Sequence, residues 1–188
     1  MTAAADTAIA TELGATVWLT GLPSAGKTTL ARSLADRLLA AGRRVEVLDG
    51  DELRRNLTAD LGFSRADRDT NVRRIAYVAR LLARHGVLVL VPVIAPYAET
   101  RAAVRALHEE SGTAYVEVHV ATPVEVCEQR DVKGLYARAR VGALTGLTGV
   151  DDPYEAPPTP DLRLNTAGRS VEDSVAALHG LLANRGLV

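Results

Sequence analysis

Eight consecutive residues near the start of the chain, Gly21-Leu22-Pro23-Ser24-Ala25-Gly26-Lys27-Thr28, have the types and spacing to cradle a triphosphate. Gly21 and Gly26 let the backbone curl until successive N–H groups face inward, and the helix that follows aims its positive end at the same point. Gly21, Ser24, Ala25, Gly26 and Thr29 then surround the phosphates, Lys27 reaches the β- and γ-phosphates as a catalytic cation, and the Thr28 hydroxyl is placed to ligate Mg²⁺. The flanks agree: Thr16 to Thr20 reads as a strand and Leu30 to Leu39 as a helix. Strand, glycine turn and helix in that order is the context of a P-loop rather than of a chance turn. The motif specifies a nucleoside triphosphate, not what is done with it.

Further residues supply an acceptor side. Asp49-Gly50-Asp51 ends a second predicted strand, Arg44 to Leu48. Asp51 suits the carboxylate that orients an attacking hydroxyl and takes its proton, and Asp49 a place nearer the metal or the loop. A solvated Asp-Gly turn capping the next helix, Glu52 to Leu57, is the plain alternative. Arg54 follows three residues after Asp51, and Arg68, Asn71, Arg73 and Arg74 open a long predicted helix, Asp67 to His85. Guanidinium groups there can grip a phosphate or sulfate bidentately, or merely form a solvated face. A third group lies in Arg130-Asp131-Val132-Lys133. Arg130 ends a helix where it can meet the adenine or the triphosphate, and Lys133 can enter the site on closure; a basic helix C-terminus is the simpler reading. The chain has only two lysines, Lys27 and Lys133, against twenty arginines, which hints that a compact ammonium is wanted at each.

The elements that must position these groups alternate. Strands are expected at Thr16–Thr20, Arg44–Leu48, Val87–Val91, Ala114–Val120 and Asp161–Asn165. Helices fall between them, including Glu99–Glu110, Val124–Arg130 and Val171–Leu182. That order calls for an α/β fold of three layers, a mainly parallel five-stranded sheet with helices on both faces. Ligands in such sheets gather at the carboxyl ends of the strands, so the P-loop, Asp49-Gly50-Asp51 and Ile94-Ala95-Pro96-Tyr97 should converge on one crevice. Asp131 to about Pro160 loses periodicity and is expected to be a lid of 131–160. Residues 1–12 read as a loose tail and 13–188 as one kinase-sized domain. The 188 residues are 47% apolar and 24% charged with a net charge of −1, which favours a soluble globular protein over a nucleic-acid or membrane partner. The single cysteine, Cys127, excludes an internal disulfide and suits a reducing cytoplasm.

Taken together the motifs resemble those of the adenylylsulfate kinase family. The resemblance is carried by Gly21 to Thr29, Leu48-Asp49-Gly50-Asp51-Glu52-Leu53-Arg54, Leu61 to Ile75, Thr122 to Tyr136 and Leu147 to Pro157, spanning nearly the whole domain. It implies a P-loop NTPase-type fold and transfer of a phosphoryl group from MgATP to the 3′-hydroxyl of adenosine 5′-phosphosulfate. By the same resemblance Asp51 and Arg54 are the acceptor-site acid and arginine, Phe63 contacts the substrate adenine, and Arg68 and Asn71 hold the phosphosulfate. Ile94 and Ala95 belong to the strand end beside the acceptor, and Lys133, Gly146 and Leu147 to the mobile lid. Family members are typically homodimers that need Mg²⁺ and ATP, and whether this chain works alone or docks to a sulfate adenylyltransferase is left open by the sequence. Two departures stand out. Ala95 replaces a serine that can be phosphorylated in some members, so no phosphoserine can form there, and Leu147 replaces a common aromatic residue, weakening any stacking. A kinase for another small hydroxyl acceptor and a catalytically idle, nucleotide-binding regulator are the rival readings.

Overall fold

A computed structural model describes residues 13–188; the proposed tail, 1–12, lies outside the described residues. Five strands, β1 (Ala15–Thr20), β2 (Val45–Val47), β3 (Leu88–Pro92), β4 (Ala114–Val120) and β5 (Leu162–Leu164), form one sheet in the order β2-β3-β1-β4-β5. Every pairing is parallel, with Val17 opposite Leu90 on one side and Val116 on the other. The all-parallel α/β sheet is the one expected, with the two edge strands shorter than their sequence patterns.

Among the described residues there are seven helices, α1 (Lys27–Ala40), α2 (Gly50–Asn56), α3 (Arg65–Arg84), α4 (Ala98–Glu109), α5 (Val124–Arg130), α6 (Leu135–Arg140) and α7 (Val171–Asn184), and α1, α3, α4 and α7 pack on the sheet. Strand side chains alternate between two cores, as a period of two requires. Ala15, Val17, Leu19, Leu88 and Leu90 pack with Leu34, Leu38, Leu178 and Leu182 of α1 and α7. Trp18, Val89 and Val91 pack on the other face with Ile75, Ala79 and Val104 of α3 and α4. Thr16 also points to that second face, where its Oγ1 lies 2.9 Å from His108 Nε2. His108 Nδ1 lies 2.8 Å from the Val104 carbonyl, so Nδ1 carries the proton and Thr16 donates to Nε2.

The helix starts explain themselves. Ser64 caps α3, accepting from Asp67 N at 3.2 Å while its hydroxyl donates to Asp67 Oδ2 at 2.7 Å. This reciprocal cap moves the helix start two residues ahead of the expected Asp67. Asp49 caps α2 by accepting from Asp51 N at 3.0 Å, so that helix begins at Gly50 rather than Glu52. The 131–160 segment is less irregular than its composition implies. It contains α6, whose first turn is capped by the Asp131 carboxylate accepting from Tyr136 N and Ala137 N at 3.0 and 2.9 Å. Six residues are too few to show helical periodicity in a sequence.

Candidate active site

The carboxyl ends of β1, β2 and β3 open into a cleft of about 800 Å³. It is lined by Ser24, Gly26, Lys27, Thr28 and Thr29 of the loop, by Asp49, Asp51, Arg54, Phe63, Arg68 and Asn71, and by Ile94, Ala95, Arg130, Lys133, Gly146 and Leu147. Gly21 and Ala25 are buried behind the wall rather than on it. Arg73 is exposed, and Arg74 turns away to pair with Asp60 at 2.7 Å, so of the arginines opening α3 only Arg68 reaches the cleft.

The loop takes its shape from the residues beneath it. A side chain at Gly21 would put a Cβ 2.5 Å from the Val120 carbonyl oxygen, and Gly26 adopts φ of 100°, a conformation costly for any other residue. The carbonyl of Ala25 accepts from Thr122 Oγ1 at 2.9 Å and Thr166 Oγ1 at 3.0 Å. Because the peptide is trans, holding that carbonyl down points the Gly26 N–H the opposite way, into the loop. Arg130 braces the same spot, donating to Thr166 Oγ1 at 2.8 Å and to the Thr166 carbonyl at 3.0 Å. Thr122 and Thr166 were not singled out as site residues; each follows a strand end, β4 and β5, which is the signal that marks them.

Lys27 is buried and folds back on the loop, donating to the carbonyls of Gly21 at 2.9 Å and Leu22 at 2.6 Å. Burial is the largest influence on it and lowers its pKa from 10.5 to about 7. To meet a phosphate it must exchange those carbonyls for phosphate oxygens. Burial also pushes up the thiol of Cys127, which is sealed in the core nearby. At the head of α1, Thr28 Oγ1 donates to Asp49 Oδ2 at 3.2 Å. A hydroxyl and a buried carboxylate meeting there are hard oxygen donors of the kind Mg²⁺ prefers.

On the acceptor side, Lys133 pairs directly with the Asp51 carboxylate. Phe63 is 69% exposed, an unusual state for a large ring, and its face is covered by the Arg54 guanidinium at 4.5 Å from the ring centre. Arg54 also donates to the Gly62 carbonyl at 2.7 Å. Asn71 Oδ1 accepts from the buried Thr58 hydroxyl at 2.7 Å, which fixes the amide's orientation. The Arg68 guanidinium is fully engaged: Nε donates to the Phe63 carbonyl at 2.9 Å, Nη1 to Thr148 Oγ1 at 2.8 Å, and Nη2 to the Gly146 carbonyl. In this state Arg68 ties the 131–160 segment to α3.

That segment is anchored at both ends. Tyr136 is buried and donates from its hydroxyl to the Pro23 carbonyl at 3.1 Å. The Asp151 carboxylate accepts from Gly146 N at 2.7 Å and Leu147 N at 2.6 Å, forming a tight local turn. Leu147 packs into the core on the α1 side while also lining the cleft, so it is an apolar anchor for the segment. Farther on, Glu155 N donates to the Pro96 carbonyl at 2.9 Å.

A parallel sheet with a glycine loop at the head of α1, and an acid and arginines across the same cleft, define a P-loop kinase. The family follows from comparison: the sequence profile of adenylylsulphate kinase matches residues 13–165, and the chain belongs to that family. The adenylyl-sulfate kinase of Picosynechococcus sp. is 51% identical over 175 residues, covering 93% of this chain and 97% of the relative. That of Deinococcus deserti is 55% identical over 165 residues, covering 88% and 89%. Among solved structures, the Mycobacterium tuberculosis APS kinase CysC in complex with AMPPNP and APS superposes with a TM-score of 0.88 at 50% identity, covering 90% of this chain and 98% of that one.

Proposed function

We propose that this cleft transfers the γ-phosphoryl group of MgATP to the 3′-hydroxyl of adenosine 5′-phosphosulfate, giving ADP and 3′-phosphoadenosine 5′-phosphosulfate. The observation that carries the reading is the union, in one cleft, of the loop and Lys27 with Asp51, Arg54, Phe63, Arg68 and Asn71. The first set meets a triphosphate; the second offers an aromatic face, cations and an acid, which fit a nucleotide bearing a phosphosulfate.

In the transfer, the acceptor oxygen bonds to the γ-phosphorus as the bond to the β–γ bridging oxygen breaks, and the hydroxyl proton passes to the Asp51 carboxylate. The loop amides of Gly21, Ser24, Ala25, Gly26 and Thr29 and the Lys27 ammonium hold the charge on the phosphoryl oxygens. Thr28, with Asp49 behind it, would hold Mg²⁺, which when bound neutralises phosphate charge. Arg130 lies beside the nucleotide end. Phe63 stacks on the acceptor base once Arg54 moves off the ring, and Arg54, Arg68 and Asn71 hold its charged end. Ile94 and Ala95 form the wall, and Lys133, Gly146 and Leu147 close over it to exclude water that would otherwise hydrolyse ATP. Ala95 leaves no hydroxyl for a phosphoenzyme, so transfer is direct.

In the same reading residues 13–188 make one kinase domain with a lid at 131–160. The protein works as a homodimer in the cytoplasm, with sulfate adenylyltransferase as a possible docking partner. No helix among the described residues is long and apolar enough to cross a membrane. The test is ATP-dependent phosphorylation of adenosine 5′-phosphosulfate by the purified protein, followed by product chromatography. Formation of ADP and the 3′-phosphorylated product is expected. ATP turnover on other hydroxyl acceptors but not on this one would overturn the reading.

A further inference from the structure

Arg101, on α4, has no place in the chemistry described above, yet it is 3% exposed and among the most deeply buried charges of the chain. Its Nε lies 3.2 Å from Glu117 Oε1 on β4, so the charge is compensated inside the fold. The two remaining nitrogens reach in different directions. Nη1 donates to the Ala95 carbonyl at 2.7 Å, and Nη2 donates to the Glu155 carbonyl. One planar fork thus joins the strand end that walls the acceptor side to the far root of the lid.

Both attachment points need such a brace. Ala95 adopts φ of 44°, a left-handed conformation that a residue with a side chain holds only when its surroundings impose it. Its neighbour Ile94 is held through its carbonyl by the Thr20 hydroxyl, which also lies 3.0 Å from Tyr154 OH in the lid root. Glu155 is further tied by Ala98 N donating to its Oε2 at 2.7 Å. The acceptor wall and the lid root are therefore fixed to each other; Thr20, directly before Gly21, links this network to the start of the P-loop, whereas the Arg101 hydrogen bonds go to the wall and the lid root.

We infer that Arg101 is a positioning residue for the acceptor: its fork sets the Ile94-Ala95 wall and the lid root in register, and so governs acceptor binding without governing ATP binding. The inference rests on the proposed function for the identity of the acceptor. Lysine at this position keeps the charge beside Glu117 but cannot reach two diverging carbonyls with a rigid fork.

The experiment compares wild type, Arg101→Lys and Glu155→Ala in steady-state kinetics for both substrates, with ATP-analogue binding measured separately by calorimetry. Glu155→Ala removes the side-chain tie between the lid root and the head of α4, so it loosens the same register while the Arg101 bond to the main-chain carbonyl and the buried ion pair stay in place. The expected result is a rise of about tenfold or more in KM for adenosine 5′-phosphosulfate in Arg101→Lys, a smaller rise in Glu155→Ala, and ATP-analogue affinity within about twofold of wild type in both. Unchanged acceptor KM in a folded Arg101→Lys protein, or an equal loss for both substrates, overturns the inference. If Arg101→Lys does not fold, as judged by its melting curve, unchanged acceptor KM in Glu155→Ala overturns it instead. A wild type that does not phosphorylate this acceptor refutes the proposed function, an outcome distinct from either.

Discussion

Raising the pH above neutrality should weaken ATP binding through a single amine. Lys27 is enclosed by the loop, and burial lowers its pKa from 10.5 to about 7. Near pH 7 the nucleotide-free protein begins to lose the charge that the triphosphate needs. Phosphate oxygens beside Nζ favour the ammonium again, so binding above that pH must draw a proton from solution. Between the pKa of the free protein and the higher pKa of the complex, each pH unit costs about 1.4 kcal/mol, a factor of about ten in affinity. From pH 7 to 9 the affinity should therefore fall by up to roughly a hundredfold. Calorimetric titration with a non-hydrolysable ATP analogue at pH 8, in two buffers of different ionisation enthalpy, reads the proton directly. Uptake approaching one proton per site is expected in wild type and none in Lys27→Arg, whose guanidinium stays charged. The stability of the nucleotide-free protein moves the other way. Its unfolded chain binds a proton that the native Lys27 has lost, so the melting temperature gains from this group as pH rises from about 7 toward 10.5. Zero uptake in wild type, or equal uptake in Lys27→Arg, would refute the reasoning.

Three further outcomes are expected. Asp51→Asn should lower kcat by about a hundredfold to ten-thousandfold while ATP-analogue affinity holds, since the carboxylate is assigned to proton transfer; an unchanged kcat would remove it from that role. Phe63→Ala should leave the melting temperature nearly unchanged, because the ring is 69% exposed, yet weaken the acceptor by about 1–3 kcal/mol in an equilibrium titration. Thr166→Val should raise KM for ATP roughly tenfold through a loosened Ala25 carbonyl, with Thr166→Ser restoring it; an effect confined to the acceptor would contradict the brace.

Much of the fold was legible because its signals are local. The apolar runs of β1, β3 and β4 and the periodicity of α3 and α7 reflect burial on one or two faces, which residue type alone reports. Ser64 also carries a local signal, a serine followed three residues later by an acid, and that cap sets the start of α3 at Arg65 rather than Asp67. The lining of the cleft was legible at Lys27, Asp51, Arg54 and Phe63, whose residue types mark them in the sequence and which the fold brings to one cleft. Arg101, Thr122 and Thr166 were not, since each acts on a backbone carbonyl distant in sequence and a carbonyl leaves no signature in residue type. The state of Arg68 was hidden for a related reason: its partners at Gly146 and Thr148 are chosen by the path of the 131–160 segment. Leu147 shows only as a departure from an aromatic residue in the sequence, whereas in the fold it both lines the cleft and packs into the core.

The scarcity of lysine has a practical meaning once both lysines are located. The chain carries two primary-amine side chains, Lys27 and Lys133, and both line the same cleft. Lys27 is almost wholly enclosed, whereas the Lys133 side chain is 55% exposed beside Asp51. Acylation or ester-based tagging that would scatter over the surface of most proteins is confined, among the side chains of this one, to its phosphoryl-transfer site. Coupling the protein to a support through its lysines would thus silence it, and cysteine chemistry fares no better while Cys127 stays buried. Outside the cleft the fixed positive charge of the side chains is carried by arginine, which has no primary amine.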